Sequence, residues 1–138
     1  MAFDAVRIEF RPAGWCPQVE DDLRSVASHS ERDISVFRTL IARGEMDLLE
    51  IWHGGERAGC VVWSVMPEIG RRVLVLNVLA ARPVEGVSIA LVVKERFAQF
   101  ARIIGCSALR CWTKRAGLVR VLERDGVETA AHVLEMEV

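Results

Sequence analysis

One stretch constrains this chain more than any other. From Arg71 to Ala81 it reads RRVLVLNVLAA, with Val73, Leu74, Val75, Leu76, Val78 and Leu79 placing apolar side chains on both faces of an extended segment. A strand that is apolar on both faces must be covered on both, which predicts a central strand between two layers. Asn77 alone interrupts it. A buried amide needs hydrogen-bond partners, and here it has two readings: it satisfies a bulge or adjacent backbone, or it holds a ligand amide.

The flanking patterns build the rest around that strand. Val6 to Phe10 alternates apolar and charged residues, the period of a half-buried strand, and Arg11-Pro12-Ala13-Gly14 is expected to end it. Two amphipathic helices follow, from Pro17 to about Ser28 and from about Ser30 to Arg43. Pro17 suits a first helical turn, and Ser30 with Asp33 has the form of a capping pair. Met46–Trp52 and Arg57–Met66 read as strands joined by the turn His53-Gly54-Gly55-Glu56, and Pro67 to Gly70 as a second turn. After the central strand, Ile89, Val93, Phe97, Phe100 and Ile104 form one stripe of a helix from about Val87 to Ile104, stopped by Gly105. A short strand (Ala108–Trp112), a helix (Lys114–Asp125) stopped by Gly126, and a final strand (Glu128–Val138) complete the order β-α-α-β-β-β-α-β-α-β. This is an α+β pattern, and the length suits one domain over residues 1–138.

A formal net charge of -1 provides no electrostatic footprint for nucleic acid or an anionic membrane. No apolar run is long enough to span a bilayer, and the first residues show no basic-then-apolar leader, so a soluble cytoplasmic chain is expected. Cys16, Cys60, Cys106 and Cys111 form no C-x-x-C pair and read as buried reduced thiols. His29, His53 and His132 have no metal-ligand spacing, and no metal is expected.

The segment RPVEGVSIAL, Arg82 to Leu91, joins the central strand to the long helix and carries Gly86-Val87-Ser88 at the junction. Together with the order of elements across nearly the whole chain, it resembles the GNAT superfamily of acyl-CoA N-acyltransferases. In that family a strand enters a Gln/Arg-x-x-Gly-x-Gly/Ala loop that opens the central helix. The resemblance implies a central mixed, mostly antiparallel sheet with helices on both faces, and acetyl-CoA as cofactor. It also implies a pyrophosphate held by backbone N–H groups at the positive end of the helix dipole. The implied cofactor-binding residues are Asn77, Leu79, Arg82, Gly86, Val87, Ser88 and Arg115. Pro83 stands where the family has Gln or Arg, and Glu85 brings a negative charge toward the phosphate position. A plain strand-to-helix turn is therefore the competing reading of the loop.

The helix from Arg115 to Gly126 is similar in layout to the family's last conserved helix, but Arg115 replaces its asparagine and Leu122 its tyrosine, and the chain contains no tyrosine. Solvent or Cys111 would then have to protonate the leaving thiolate. Glu50, His53 and Glu68 are the candidate bases, each also readable as an ordinary surface or turn residue. Lys114, Arg115, Arg120 and Arg124 make a basic face that is either solvated or docks an acidic partner or the adenosine phosphate.

Two functions follow: N-acetyl transfer to a small-molecule or protein amine, or a non-catalytic GNAT-like structural or protein-interaction component. Compact chains with worn loops are similar to acetyltransferase-like proteins of tailed bacteriophages, which would place the second kind in a virion. A third reading, an unrelated α+β binding domain, is separated from these by whether the fourth and fifth strands part. Only one strand's worth of chain follows the last helix, where the family usually has two. That strand is either missing or supplied by a partner, so a homo-oligomer or protein partner is a further expectation.

Overall fold

A computed structural model of the chain describes residues 7–26, 30–112, 116–129 and 136–137. Five strands, β1 (Ile8–Pro12), β2 (Asp47–His53), β3 (Glu56–Glu68), β4 (Arg71–Ala81) and β5 (Ala108–Cys111), form one sheet in that order. β1 through β4 pair antiparallel, and β5 runs parallel to β4. The four described helices are α1 (Pro17–Ser25), α2 (Glu31–Ala42), α3 (Ile89–Ile103) and α4 (Ala116–Arg124). The fold is α+β, as the pattern predicts, with the mixed, mostly antiparallel sheet that the resemblance implies.

β4 is covered on both faces, as its composition demands. Leu74 and Leu76 pack with Val93 and Phe97 of α3, while Val78 and Ala80 pack with Val19 and Leu23 of α1 and Ile34 of α2. Beneath α3, Trp63 of β3 meets the rings of Phe97 and Phe100 edge-on at 6.1 and 5.2 Å. Ser30 and Asp33 close a reciprocal capping box on α2, with backbone–side-chain distances of 3.2 and 3.0 Å.

The side chains of β4 change face midway. Leu76 and Leu79 both lie on the α3 side, although strict alternation would put residues three apart on opposite faces. A bulge causes this: Val62 of β3 stands opposite Val78, the next residue Trp63 stands opposite Leu76, and Asn77 is the extra residue between them. Its amide donates to Ser64 Oγ at 2.9 Å. A second irregularity lies between β2 and β3, where Ile51 faces Gly59 and Trp52 faces Arg57, leaving Ala58 as the extra residue.

Several boundaries differ from the sequence reading. β1 runs to Pro12 instead of stopping at Phe10, because it is an edge strand and a proline at its end forfeits no central ladder bond. Ala13 N–H still donates to Leu48 O at 3.2 Å. β3 continues through Pro67 to Glu68, shrinking the second turn to Ile69-Gly70, since pairing with β4 extends to Glu68 opposite Arg71. α1 ends at Ser25, short of Ser28; residues 27–29 lie outside the described ones. Glu128 and Thr129, where the final strand was expected to start, are not in a strand, and residues 130–135 fall outside the described residues. No helix among the described residues is long and apolar enough to cross a membrane.

Glu68 ties the end of the β3–β4 hairpin to β5. Arg110 donates to it twice, at 2.7 and 3.2 Å, and Arg71 once, at 3.0 Å. The Arg110 hydrogen bonds hold its carboxyl below the usual glutamate range, with Arg71 adding to the effect and desolvation opposing it. A depressed folded-state pKa contributes stability that is present above the unfolded pKa and is lost as pH falls through the folded one. Glu68→Gln should therefore melt below wild type at neutral pH, and the two melting curves should converge in acid. A gap that persists in acid would show that the pair contributes through packing instead of charge.

Candidate functional site

The pairing of β4 with β5 stops partway. The parallel ladder runs from Val73 opposite Ala108 to Leu76 opposite Cys111, and Trp112 N–H reaches Leu76 O at 3.4 Å. β4 continues along β3 to Ala81. β5 itself ends at Cys111, opposite Leu76, and residues 113–115 lie outside the described ones. Arg82 N–H donates to Ala58 O at 2.8 Å, which sets the alternation above the bulge: the backbone groups of Leu79 and Ala81 face away from β3.

A cavity of about 230 Å³ opens at the end of the β4–β5 ladder on the α3 side. Leu76 and Leu79 of β4, Leu109 and Cys111 of β5, and Leu118 and Leu122 of α4 line it. α3 contributes Ala90, Lys94 and Ala98, spaced by four and one position beyond the core stripe of Ile89, Val93 and Phe97. Lys94 donates to Asp125, tying α3 to the end of α4 at the side of the cavity. The bulge at Asn77 is what lets Leu76 and Leu79 share this wall.

A second cavity, also about 230 Å³, adjoins the first and shares Leu79, Ala90 and Leu118 with it. Arg82, Val84, Val87 and Ser88 lie on its wall. Val87 N–H donates to Val84 O at 3.3 Å, and Gly86 sits at φ 75° as the third residue of this tight turn, where a side chain is strained. Ser88 is the N-cap of α3 but makes no side-chain cap bond, and the first turn of the helix carries no acidic residue. Its first N–H groups thus present the positive end of a fifteen-residue helix beside the cavity. Glu85 is exposed and does not line the cavity.

No family model matches the sequence, and no curated protein is similar to it in sequence. Solved structures are similar in fold. A ribosomal-protein-alanine N-acetyltransferase from Brucella melitensis superposes with a TM-score of 0.72 at 14% identity, over 95% of this chain and 99% of that one. An aminoglycoside N-acetyltransferase in complex with CoA gives 0.65 at 12% identity, over 95% and 94%. A protein from Bacillus halodurans described as a transcriptional regulator gives 0.71 at 15%, over 95% and 99%. The chain has the GNAT fold.

Within that fold the expected cofactor-binding residues fall into three groups. Leu79, Arg82, Val87 and Ser88 come together around the second cavity, with Gly86 shaping the turn beside them. Arg82 also reaches back to Glu56 at 3.2 Å and to Arg57 O at 3.3 Å, which anchors the loop to the start of β3. Asn77 lines neither cavity, and its amide serves Ser64 across the bulge. Arg115 lies outside the described residues.

The three candidate bases are not brought together, and none lines either cavity. Glu50 accepts from Arg57 Nε at 2.5 Å, and the same guanidinium donates to Asp22 of α1 at 2.6 Å. Burial works against the Arg57 charge, yet these two carboxylates raise its pKa overall. His53 ends β2, two strands or about 10 Å from β4, with Nε2 buried and no hydrogen-bond partner. Glu68 occupies the β3–β4 hairpin, at the end of β4 opposite the loop, held below its usual pKa by Arg110. Burial pushes the Cys60 thiol pKa up, and the neighbouring Asp22 adds to the shift, so it stays protonated and unreactive.

The wall residues Leu76, Ala90, Ala98 and Leu118 escape the sequence reading. One signal was present: Ala90 and Ala98 put small side chains at helical spacing beside a stripe of large ones. Among the described residues no group of His, Cys, Asp and Glu is arranged to hold a metal ion.

Proposed function

We propose that this chain binds an acyl-CoA in the cavity at the end of the β4–β5 ladder and transfers the acyl group to an amine. The observation that carries this is that the cavity at the end of the β4–β5 ladder adjoins the cavity at the start of α3, the two sharing Leu79, Ala90 and Leu118. One path leads from the helix N-terminus past Leu79 to the end of the β4–β5 ladder. The N–H groups that open α3, with Val87 and Ser88, receive the pyrophosphate, and Arg82 adds positive charge beside it. The pantetheine lies along β4, which brings the thioester to the end of the β4–β5 ladder. Cys111 lines the cavity at the end of the β4–β5 ladder, where a thiol proton reaches a departing thiolate. With Glu50, His53 and Glu68 outside the cavities, the amine is taken up as the free base, and rate enhancement rests on orientation.

A second reading, a GNAT-fold structural or interaction component without catalysis, is favoured by one specific observation. The candidate carboxylates Glu50 and Glu68 are committed to arginines instead of lining the cavities. Calorimetric titration with acetyl-CoA separates the two. Wild type is expected to bind in the micromolar range, and Gly86→Glu to lose binding at least 100-fold, because it strains the turn at φ 75° and puts a carboxylate beside the phosphate position. Absence of binding at millimolar acetyl-CoA would leave the structural reading. Where CoA binds, thiol release with an amine panel reports transfer.

A further inference from the structure

The cavity at the end of the β4–β5 ladder reaches deeper than a two-carbon acyl group requires. Leu79 and Leu118 lie at its upper end, where it meets the loop cavity. Leu76 and Cys111 mark the last β4–β5 pair, while Leu109 belongs to the paired region below it, opposite Leu74. The space thus extends alongside the last pairs of the β4–β5 ladder, on the α3 face of the sheet. Along α3 it runs from Ala90 to Ala98, about 12 Å at the helical rise. Both alanines hold open a lane that larger residues at the same spacing would fill.

Size and polarity both favour a hydrocarbon occupant. An apolar cavity of roughly 150 Å³ accommodates a benzene ring, and this one measures about 230 Å³. Its deep wall is Leu76, Leu109, Leu122, Val93 and Ala98; its charged groups, Lys94 and Asp125, are paired with each other. An acetyl group ends near the last β4–β5 pair and leaves that wall uncovered, whereas a longer chain covers it.

We infer that the cleft selects an acyl-CoA with a medium-length apolar acyl chain, whose tail lies along the Ala90–Lys94–Ala98 lane of α3 below the last β4–β5 pair. This rests on the acyl-CoA reading above and specifies its substrate class. Because Asn77 is a bulge residue, Leu76 and Leu79 form one continuous wall, and the chain passes from thioester to tail pocket without crossing the sheet.

The test is calorimetric titration of the wild-type chain with CoA, acetyl-CoA and octanoyl-CoA below their micelle-forming concentrations. Octanoyl-CoA is expected to bind at least about 10-fold more tightly than acetyl-CoA, since each buried methylene contributes to affinity. Ala98→Phe, confirmed as folded by its melting transition, is expected to lose at least 10-fold of the octanoyl-CoA affinity. Equal binding of all three ligands by wild type would overturn the tail pocket while leaving the CoA site intact. Tighter octanoyl-CoA binding that Ala98→Phe leaves untouched would overturn the placement of the tail. Absence of binding by any of the three would overturn the acyl-CoA reading itself.

Discussion

Gly59→Ala is expected to destabilise the chain by about 3 kcal/mol, among the largest effects of any single methyl addition to the sheet. A Cβ built at Gly59 falls 2.0 Å from Ala80 O and 2.6 Å from Ala81 Cα. Both are backbone atoms of the neighbouring strand, so no side chain can rotate away. Relief requires β3 and β4 to separate at the C-terminal end of β4, and Arg82 N–H to Ala58 O is among the bonds at risk. Urea denaturation should show a lower midpoint with an unchanged slope. A midpoint within experimental error of wild type would mean that the strands tolerate a wider spacing there. The loop after Ala81 is built on this junction, so acyl-CoA binding should weaken together with stability.

Arg57→Met is the second large effect, again about 3 kcal/mol, by a different mechanism. Arg57 is shared by Asp22 of α1 and Glu50 of β2 at 2.6 and 2.5 Å, and its side chain is 18% exposed against 19% for each carboxylate. Removing the cation leaves two largely buried like charges with no compensation, which is costlier than the net contribution of the pair. The effect should be reversed in part by the triple variant Asp22→Asn, Glu50→Gln, Arg57→Met, which has no charge left to bury. Equilibrium denaturation of both variants distinguishes this from loss of packing: if the triple variant is no more stable than Arg57→Met, the methylenes of Arg57 and not its charge hold α1 to the sheet. The same triad bears on Glu50 as a base. A carboxylate that clamps α1 has its lone pairs directed at Arg57, on the face of the sheet away from the α3-side cavity.

Local pattern made most of the architecture legible. A strand apolar on both faces needed two covering layers, and α1 with α2 on one side and α3 on the other supply them. The Ser30–Asp33 box and the apolar stripe of α3 were readable because capping and helical periodicity are properties of neighbours in the chain. The candidate site was legible only where it is local, in the turn from Ala81 to Ser88. Glu50 and Glu68 looked like free bases because their partners are remote: Arg57 comes from across the β2–β3 hairpin, and Arg110 lies 42 residues from Glu68.

By itself the sequence determined the order of elements from β1 to α4, the buried β4, the turn that opens α3, and the absence of a tyrosine. Each of these is set by residue type and by spacing over a few positions. Only the tertiary structure decided that Asn77 is the extra residue of a bulge, that Leu76 and Leu79 consequently share a face, and that Leu76 meets Cys111 at the end of the β4–β5 ladder. These depend on register between strands. A one-residue offset reverses which side chains meet the same neighbour, and register is fixed by packing across the whole sheet instead of by any stretch of the chain.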